Sequence, residues 1–164
     1  MKYLLIIATL LLVGFDGELP KSLERKIDKT ISRSFDSDNI TMVKVISDDQ
    51  DENSGGLGTF IYSLHEEAEQ IGYIVITSAM GRHEYFDYCV IYNSDFSIRN
   101  VEILVYRSDH GYEITNRKWL KQFVGQRGCG LEYSKDIDAI SGATYSAGSI
   151  TADLARLCLL LQKL

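Results

Sequence analysis

Residues 138–149 read Asp138-Ala139-Ile140-Ser141-Gly142-Ala143-Thr144-Tyr145-Ser146-Ala147-Gly148-Ser149, with five hydroxyl side chains and one charge. Small residues let a backbone come close to a ligand. Hydroxyls and unpaired N–H groups at a helix start suit phosphate or another anion. Behind this stretch Ile150, Leu154, Leu157 and Leu161 fall on one helical stripe, widened by Ala147 and Cys158. That spacing predicts a helix running to about Lys163, opened by the hydroxyl-rich segment. A phosphate ester on the Thr144 hydroxyl would sit among the unpaired donors and at the positive end of the helix dipole. Gly142 and Ala143 leave room for a bulky partner, and Asp138 could orient the loop or help bind a metal during a transfer reaction. The plainer role is capping: Ser141, Ser146 or Ser149 could each be the N-cap. On residue chemistry alone, capping outranks any specific activity.

Other groups carry weaker signals. His65, His83 and His110 lie in no nucleophile motif such as Gly-x-Ser-x-Gly, which argues against a hydrolase. Cys89, Cys129 and Cys158 lack metal-ligand spacing. Cys89 in a strand-like run and Cys158 on a helix read as small buried hydrophobes, and Cys129 between two glycines reads as exposed. An odd count in an exported protein leaves at least one free thiol or an intermolecular bridge. Ser54-Gly55-Gly56-Leu57-Gly58 lacks the Gly-Lys-Ser/Thr of a phosphate loop and reads as a flexible turn.

The 164 residues suffice for one domain with a proper core. The net charge of −6 and the scattered Lys and Arg disfavour nucleic acid. The acidic run at 48–52 reads as a solvated loop. Lys2 precedes an apolar run at 4–15, interrupted only by Thr9 and ended by Asp16. That run is shorter than the about 20 residues of a membrane span and fits the core of a secretory signal peptide. Residues 1–17 are therefore expected to be a signal peptide or a retained N-terminal anchor, which predicts an exported protein.

The elements that must hold the 138–149 stretch follow from periodicity. Leu19, Leu23, Ile27 and Ile31 predict an amphipathic helix over 20–34, packed on a sheet. Strands are expected at 41–47, 59–66, 72–78, 84–92 and 98–106, joined by short turns. Short turns imply an antiparallel meander. In the last strand Val101, Ile103 and Val105 alternate with Glu102, Leu104 and Tyr106, which predicts one packed and one mixed face. Residues 107–116 read as a polar loop, and 117–124 as a short helix with Trp119, Leu120 and Phe123 on one face. The predicted fold is α+β, an antiparallel sheet of four or five strands with packed helices. The expected division is a helix, strand and acidic loop over 18–56 and a binding domain over 57–164.

Asp138-Ala139-Ile140-Ser141-Gly142-Ala143-Thr144 resembles the signature of the FMN-binding domain family, which includes flavin-bearing subunits of the sodium-pumping NADH:quinone reductase and of Rnf-type electron-transport complexes. Gly72-Tyr73-Ile74-Val75, Gly81, Val101-Glu102-Ile103-Leu104 and Trp119-Leu120-Lys121-Gln122-Phe123-Val124-Gly125 follow the family's order. The resemblance covers about 57–164. It implies an electron-transfer flavoprotein with FMN joined through its phosphate to a threonine hydroxyl, here Thr144. It also implies a magnesium-dependent flavin transferase that uses FAD as donor and acts on exported chains. By that resemblance Asp138, Ser141, Gly142 and Ala143 form the transferase recognition sequence, and Ser146 is the rival acceptor. The loop 106–113 takes the place of an acidic-Thr-x-Gly-Leu-Gly pattern near the flavin, of which Gly111 is retained. His110 could donate to the ring, and Tyr112 or Trp119 could stack on it, although Trp119 fits the core better. Redox partner proteins, soluble or membrane-bound, would be needed to pass electrons on. Two alternatives remain at this level: a non-redox or sensory module of the same fold, and reversible FMN binding without a covalent bond.

Overall fold

Leu23, Ile27 and Ile31 are buried on one face of helix α1 (Lys21–Phe35), whose other faces are charged. Pro20 stands just outside its first turn, where a missing N–H costs nothing, and its carbonyl accepts the Leu23 N–H at 2.8 Å. The computed structural model describes residues 19–48 and 55–164. The apolar run at 4–15 and most of the acidic run at 48–52 lie outside the described residues.

Five strands follow: β1 (Ile40–Asp48), β2 (Thr59–Glu66), β3 (Glu69–Met80), β4 (Tyr85–Asn93) and β5 (Ile98–Val105). They pair in chain order, each antiparallel to the next, as expected for a meander. The sheet is covered on both faces. Ile74, Ile76, Cys89, Ile91 and Leu104 pack under α1, whereas Val75, Tyr88, Val90, Tyr92 and Val101 pack under the C-terminal helix α3 (Thr144–Leu161). The alternation expected for the last strand is corrected at its end, where Val105 and Tyr106 change sides. The pairing slips between Asp87 and Tyr88, which face Val105 and Ile103, so Val105 joins Leu104 on the α1 side. A bulge of this kind defeats a reading based on strict alternation. Lys26 Nζ also donates to the Leu104 carbonyl at 2.6 Å, tying α1 to the edge strand.

The segment read as a polar loop at 107–116 contains a 3-10 turn at Tyr112–Thr115, which buries Ile114 in the α3-side core. The short helix expected at 117–124 is one α turn, α2 (Arg117–Leu120), continued by a 3-10 turn at Lys121–Phe123. Asn116 caps it by accepting the Lys118 N–H at 2.9 Å. Trp119, Leu120 and Phe123 enter the core.

Cys158 is not a free buried hydrophobe. It forms a disulfide with exposed Cys129, across 29 residues of sequence, while Cys89 is free and buried. Every residue from Asp138 to Ser149 lies inside the loop that this bridge closes. Among the described residues no helix is long and apolar enough to cross a membrane.

Candidate functional site

Helix α3 is held on the sheet by Ala147, Ile150, Leu154, Leu157 and Leu161, the stripe expected from sequence. Its start is fixed from behind. Trp119 Nε1–H donates to the Asp138 carbonyl at 2.7 Å, and the Asp138 N–H donates to Gln122 Oε1 at 2.9 Å. Trp119 therefore anchors the loop from within the core, edge-on to Phe123 with ring centroids 5.3 Å apart. The Asp138 side chain is left exposed.

The helix begins at Thr144 with Ala143 as N-cap, and no side chain caps it. None of Ser141, Ser146 and Ser149 takes the capping role. Among the described residues, the N–H groups of Thr144, Tyr145 and Ser146 have no protein acceptor. The first helical bond is from the Ala147 N–H to the Ala143 carbonyl at 2.9 Å. Three unpaired donors and the positive end of the helix dipole thus lie in the turn that carries the exposed Thr144 side chain.

Ser146 lies differently, only 2% exposed. Its hydroxyl meets Tyr106 Oη at 3.2 Å, and Tyr106 Oη donates to the His110 carbonyl at 2.6 Å. This relay ties the 106–113 loop to the first turn of α3. It also explains Gly111, whose φ is +86° and where a Cβ would stand 2.5 Å from Tyr106 Oη. Gly142, with φ at +89°, lies under the Glu113 carboxylate, 2.7 Å from where a Cβ would be. Gly111 thus keeps the backbone bare beside Ser146, and Gly142 does so beneath Glu113.

Ala143, Thr144, Tyr145, Ser146, Gly142, Gly111 and His110 line one small cavity of about 160 Å³, with Arg82 on its wall. Most residues singled out from sequence are therefore brought together. Asp138, Ser141 and Tyr112 stand outside this cavity. Tyr112 is 67% exposed and meets Tyr106 edge-on, with centroids 6.1 Å apart.

Three residues escaped the sequence reading: Arg82, Tyr106 and Glu113. Arg82 comes from the β3–β4 turn and lays its guanidinium 5.7 Å from the centroid of the Tyr145 ring. An arginine at a hairpin tip in an acidic chain was the available signal, but nothing local says that the tip reaches α3.

A bare-backbone cradle, three free N–H donors, a nearby guanidinium and an exposed hydroxyl fit a phosphate group. Such a helix start on an α+β scaffold suits the phosphate of a cofactor. A family model described as FMN-binding domain matches residues 28–157, and the chain belongs to that family. FMN is therefore its cofactor. A search of curated proteins finds no match to the chain.

Proposed function

We propose that the chain is an exported electron-transfer flavoprotein carrying FMN as a phosphodiester on Thr144. The observation that carries this reading is the contrast between two hydroxyls on one helical turn. Thr144 is exposed beside three unpaired N–H donors, while Ser146 is buried in the relay to Tyr106. A large donor can be presented to the first hydroxyl and not to the second. In the transfer, Thr144 Oγ bonds to the phosphorus of the FMN half of FAD, and the pyrophosphate bond breaks. AMP leaves, and the hydroxyl proton passes to solvent or to a base on the transferase. The N–H groups of residues 144–146 and Arg82 offset the negative charge that stays on the diester. The flavin supplies the redox chemistry; the chain holds it and sets its surroundings.

Two features support export. The run at 4–15 has the length of a signal-peptide core. The Cys129–Cys158 disulfide suits an oxidising compartment. A covalent tether suits that setting, because the cofactor cannot dissociate and be lost from the chain. Expressed with a flavin transferase in an exporting host, the denatured protein should stay yellow and gain the mass of one FMN ester. Thr144→Ala should lose all of that mass, while Ser146→Ala should keep it. Flavin released by acid precipitation would support reversible binding instead. A colourless chain of unmodified mass, beside an active transferase, would sink the covalent reading. The same mass measurement reports whether the 4–15 run is removed.

A further inference from the structure

Cations drawn from three parts of the chain meet at the β5 edge of the sheet, outside both of its packed faces. Arg33 comes from the last turn of α1, Arg99 from β5, Arg117 from α2 and Lys121 from the turn that continues α2. They line one cavity of about 270 Å³, with Glu102 as the single carboxylate on its wall. In a chain of net charge −6, this wall holds a local excess of positive charge. The fold accounts for two of the cations. Arg99 Nε donates to the Ser34 carbonyl at 2.8 Å and Nη1 to Asn93 Oδ1 at 2.9 Å, with the guanidinium 4.2 Å from the centroid of the Phe35 ring. Arg117 Nη2 donates to Glu102 Oε1 at 2.8 Å. Asn100 Nδ2 donates to Ser34 Oγ at 3.2 Å, so the α1 and β5 walls are tied to each other. Arg33 and Lys121 are not accounted for. Both are exposed, and among the described residues neither side chain has a carboxylate or hydrogen-bond partner. A cation in the last turn of a helix suits the dipole, but Arg99 already serves the Ser34 carbonyl there.

We propose that this cavity binds a phosphate group, as the free ion or as a phosphate ester. Guanidinium groups give paired N–H donors to phosphate oxygens, and a lysine adds a compact charge on a flexible stem. The contacts of Arg99 with Ser34, Asn93 and Phe35 hold its guanidinium in place before any ligand arrives. Arg33 and Lys121 can close on the ligand from α1 and from beyond α2. A bound phosphate offsets the mutual repulsion of the four cations and stabilises the folded chain by mass action. The cavity shares no residue with the one beside Thr144, so the inference stands apart from the tether reading.

The test uses the full chain carrying its flavin. Inorganic phosphate, sodium chloride at equal ionic strength and malonate are the probes, read by titration calorimetry and by melting temperature. Phosphate should bind and raise the melting temperature, and chloride should not. The double substitution Arg33→Gln and Lys121→Gln should weaken phosphate binding about ten-fold, as the loss of two partly exposed ionic contacts implies. Its melting temperature in chloride should not fall, which separates lost binding from misfolding. Arg127→Gln with Lys163→Gln removes the same charge elsewhere and should leave phosphate binding as in wild type. Two further probes identify the source of the phosphate. Competition by glycerol 3-phosphate supports a soluble ester. Co-sedimentation with vesicles of phosphatidylcholine and phosphatidic acid, lost in the Arg33→Gln and Lys121→Gln variant, supports a lipid headgroup. Equal stabilisation by phosphate and chloride would overturn the site, and so would equal weakening in the two double variants. Tighter binding of malonate than of phosphate would overturn the ligand class. Phosphate binding lost in Arg82→Gln and kept in the Arg33→Gln and Lys121→Gln variant would move the anion to the α3 start, overturning the β5 site. An unmodified Thr144 would sink the tether reading alone, because the β5 cavity should titrate in the same way without flavin.

Discussion

Under α1 the sheet presents Ile74, Ile76, Cys89, Ile91 and Leu104, with Leu23, Ile27 and Ile31 above them. Under α3 it presents Phe86, Tyr88, Val90, Tyr92 and Val101, and the cover is assembled from a helix, two 3-10 turns and a disulfide-closed loop. The first face is an aliphatic interface without chemistry. Even its one thiol, Cys89, is silenced, since burial pushes it up to about 12. The second face mixes packing with hydroxyl relays, a carboxylate held by a buried tyrosine and two cavities that adjoin α3. The same sheet thus keeps its plain packing on one side and its binding geometry on the other. Perturbing each side separately should divide stability from flavin attachment.

The largest effect is expected at the disulfide. Opening a loop of this length should cost about 3.5 kcal/mol by the chain-entropy relation. Cys129→Ser tests it by urea denaturation, and because residues 138–149 lie inside that loop, flavin occupancy should fall as well. A loss of stability with unchanged occupancy would mean that the 138–143 loop holds its shape without the bridge. Slightly smaller is Ile27→Ala on the opposite face. Removing a fully buried isoleucine side chain should cost about 3 kcal/mol. Here occupancy on the folded chain should match wild type. A fall in occupancy beyond the unfolded fraction would break the division between the faces.

How much of this was legible in sequence follows the same boundary. The α1 and α3 stripes could be read because each is a local repeat with one partner surface. Strand β2 was placed at 59–66 because β-branched and aromatic residues end there in a polar turn. The Ser-Gly-Ala-Thr motif and its place at a helix start were legible for the same local reason. What stayed hidden depends on distant contact. Cys158 has the look of a core residue and gives no sign that Cys129 returns to meet it. Arg82 lies in a turn, and only the crossing of α3 over the hairpin brings it to Tyr145. Ile114 sits in a polar segment, yet a 3-10 turn directs it into the core. The bulge beside Tyr88 shifts Val105 to the other face, which no strict alternation predicts.

The smallest effect is expected where the loop is joined to the helix start. Tyr106→Phe removes the donor to the His110 carbonyl and leaves the Ser146 hydroxyl buried without that partner. The loss should be about 1 kcal/mol, the net value of one hydrogen bond. In a domain of this size it should lower the melting temperature by about 3 °C. The effect on flavin attachment should be larger than that figure suggests, because the relay fixes where Gly111 and the first turn of α3 meet. Initial flavinylation should slow several-fold while the final mass stays the same. A double-mutant cycle with Ser146→Ala isolates the pair. If the two hydroxyls act as one link, the double variant should cost less than the sum of the single ones. Strict additivity would mean that the loop and the helix start are held independently, and the α3 face would then be two sites side by side.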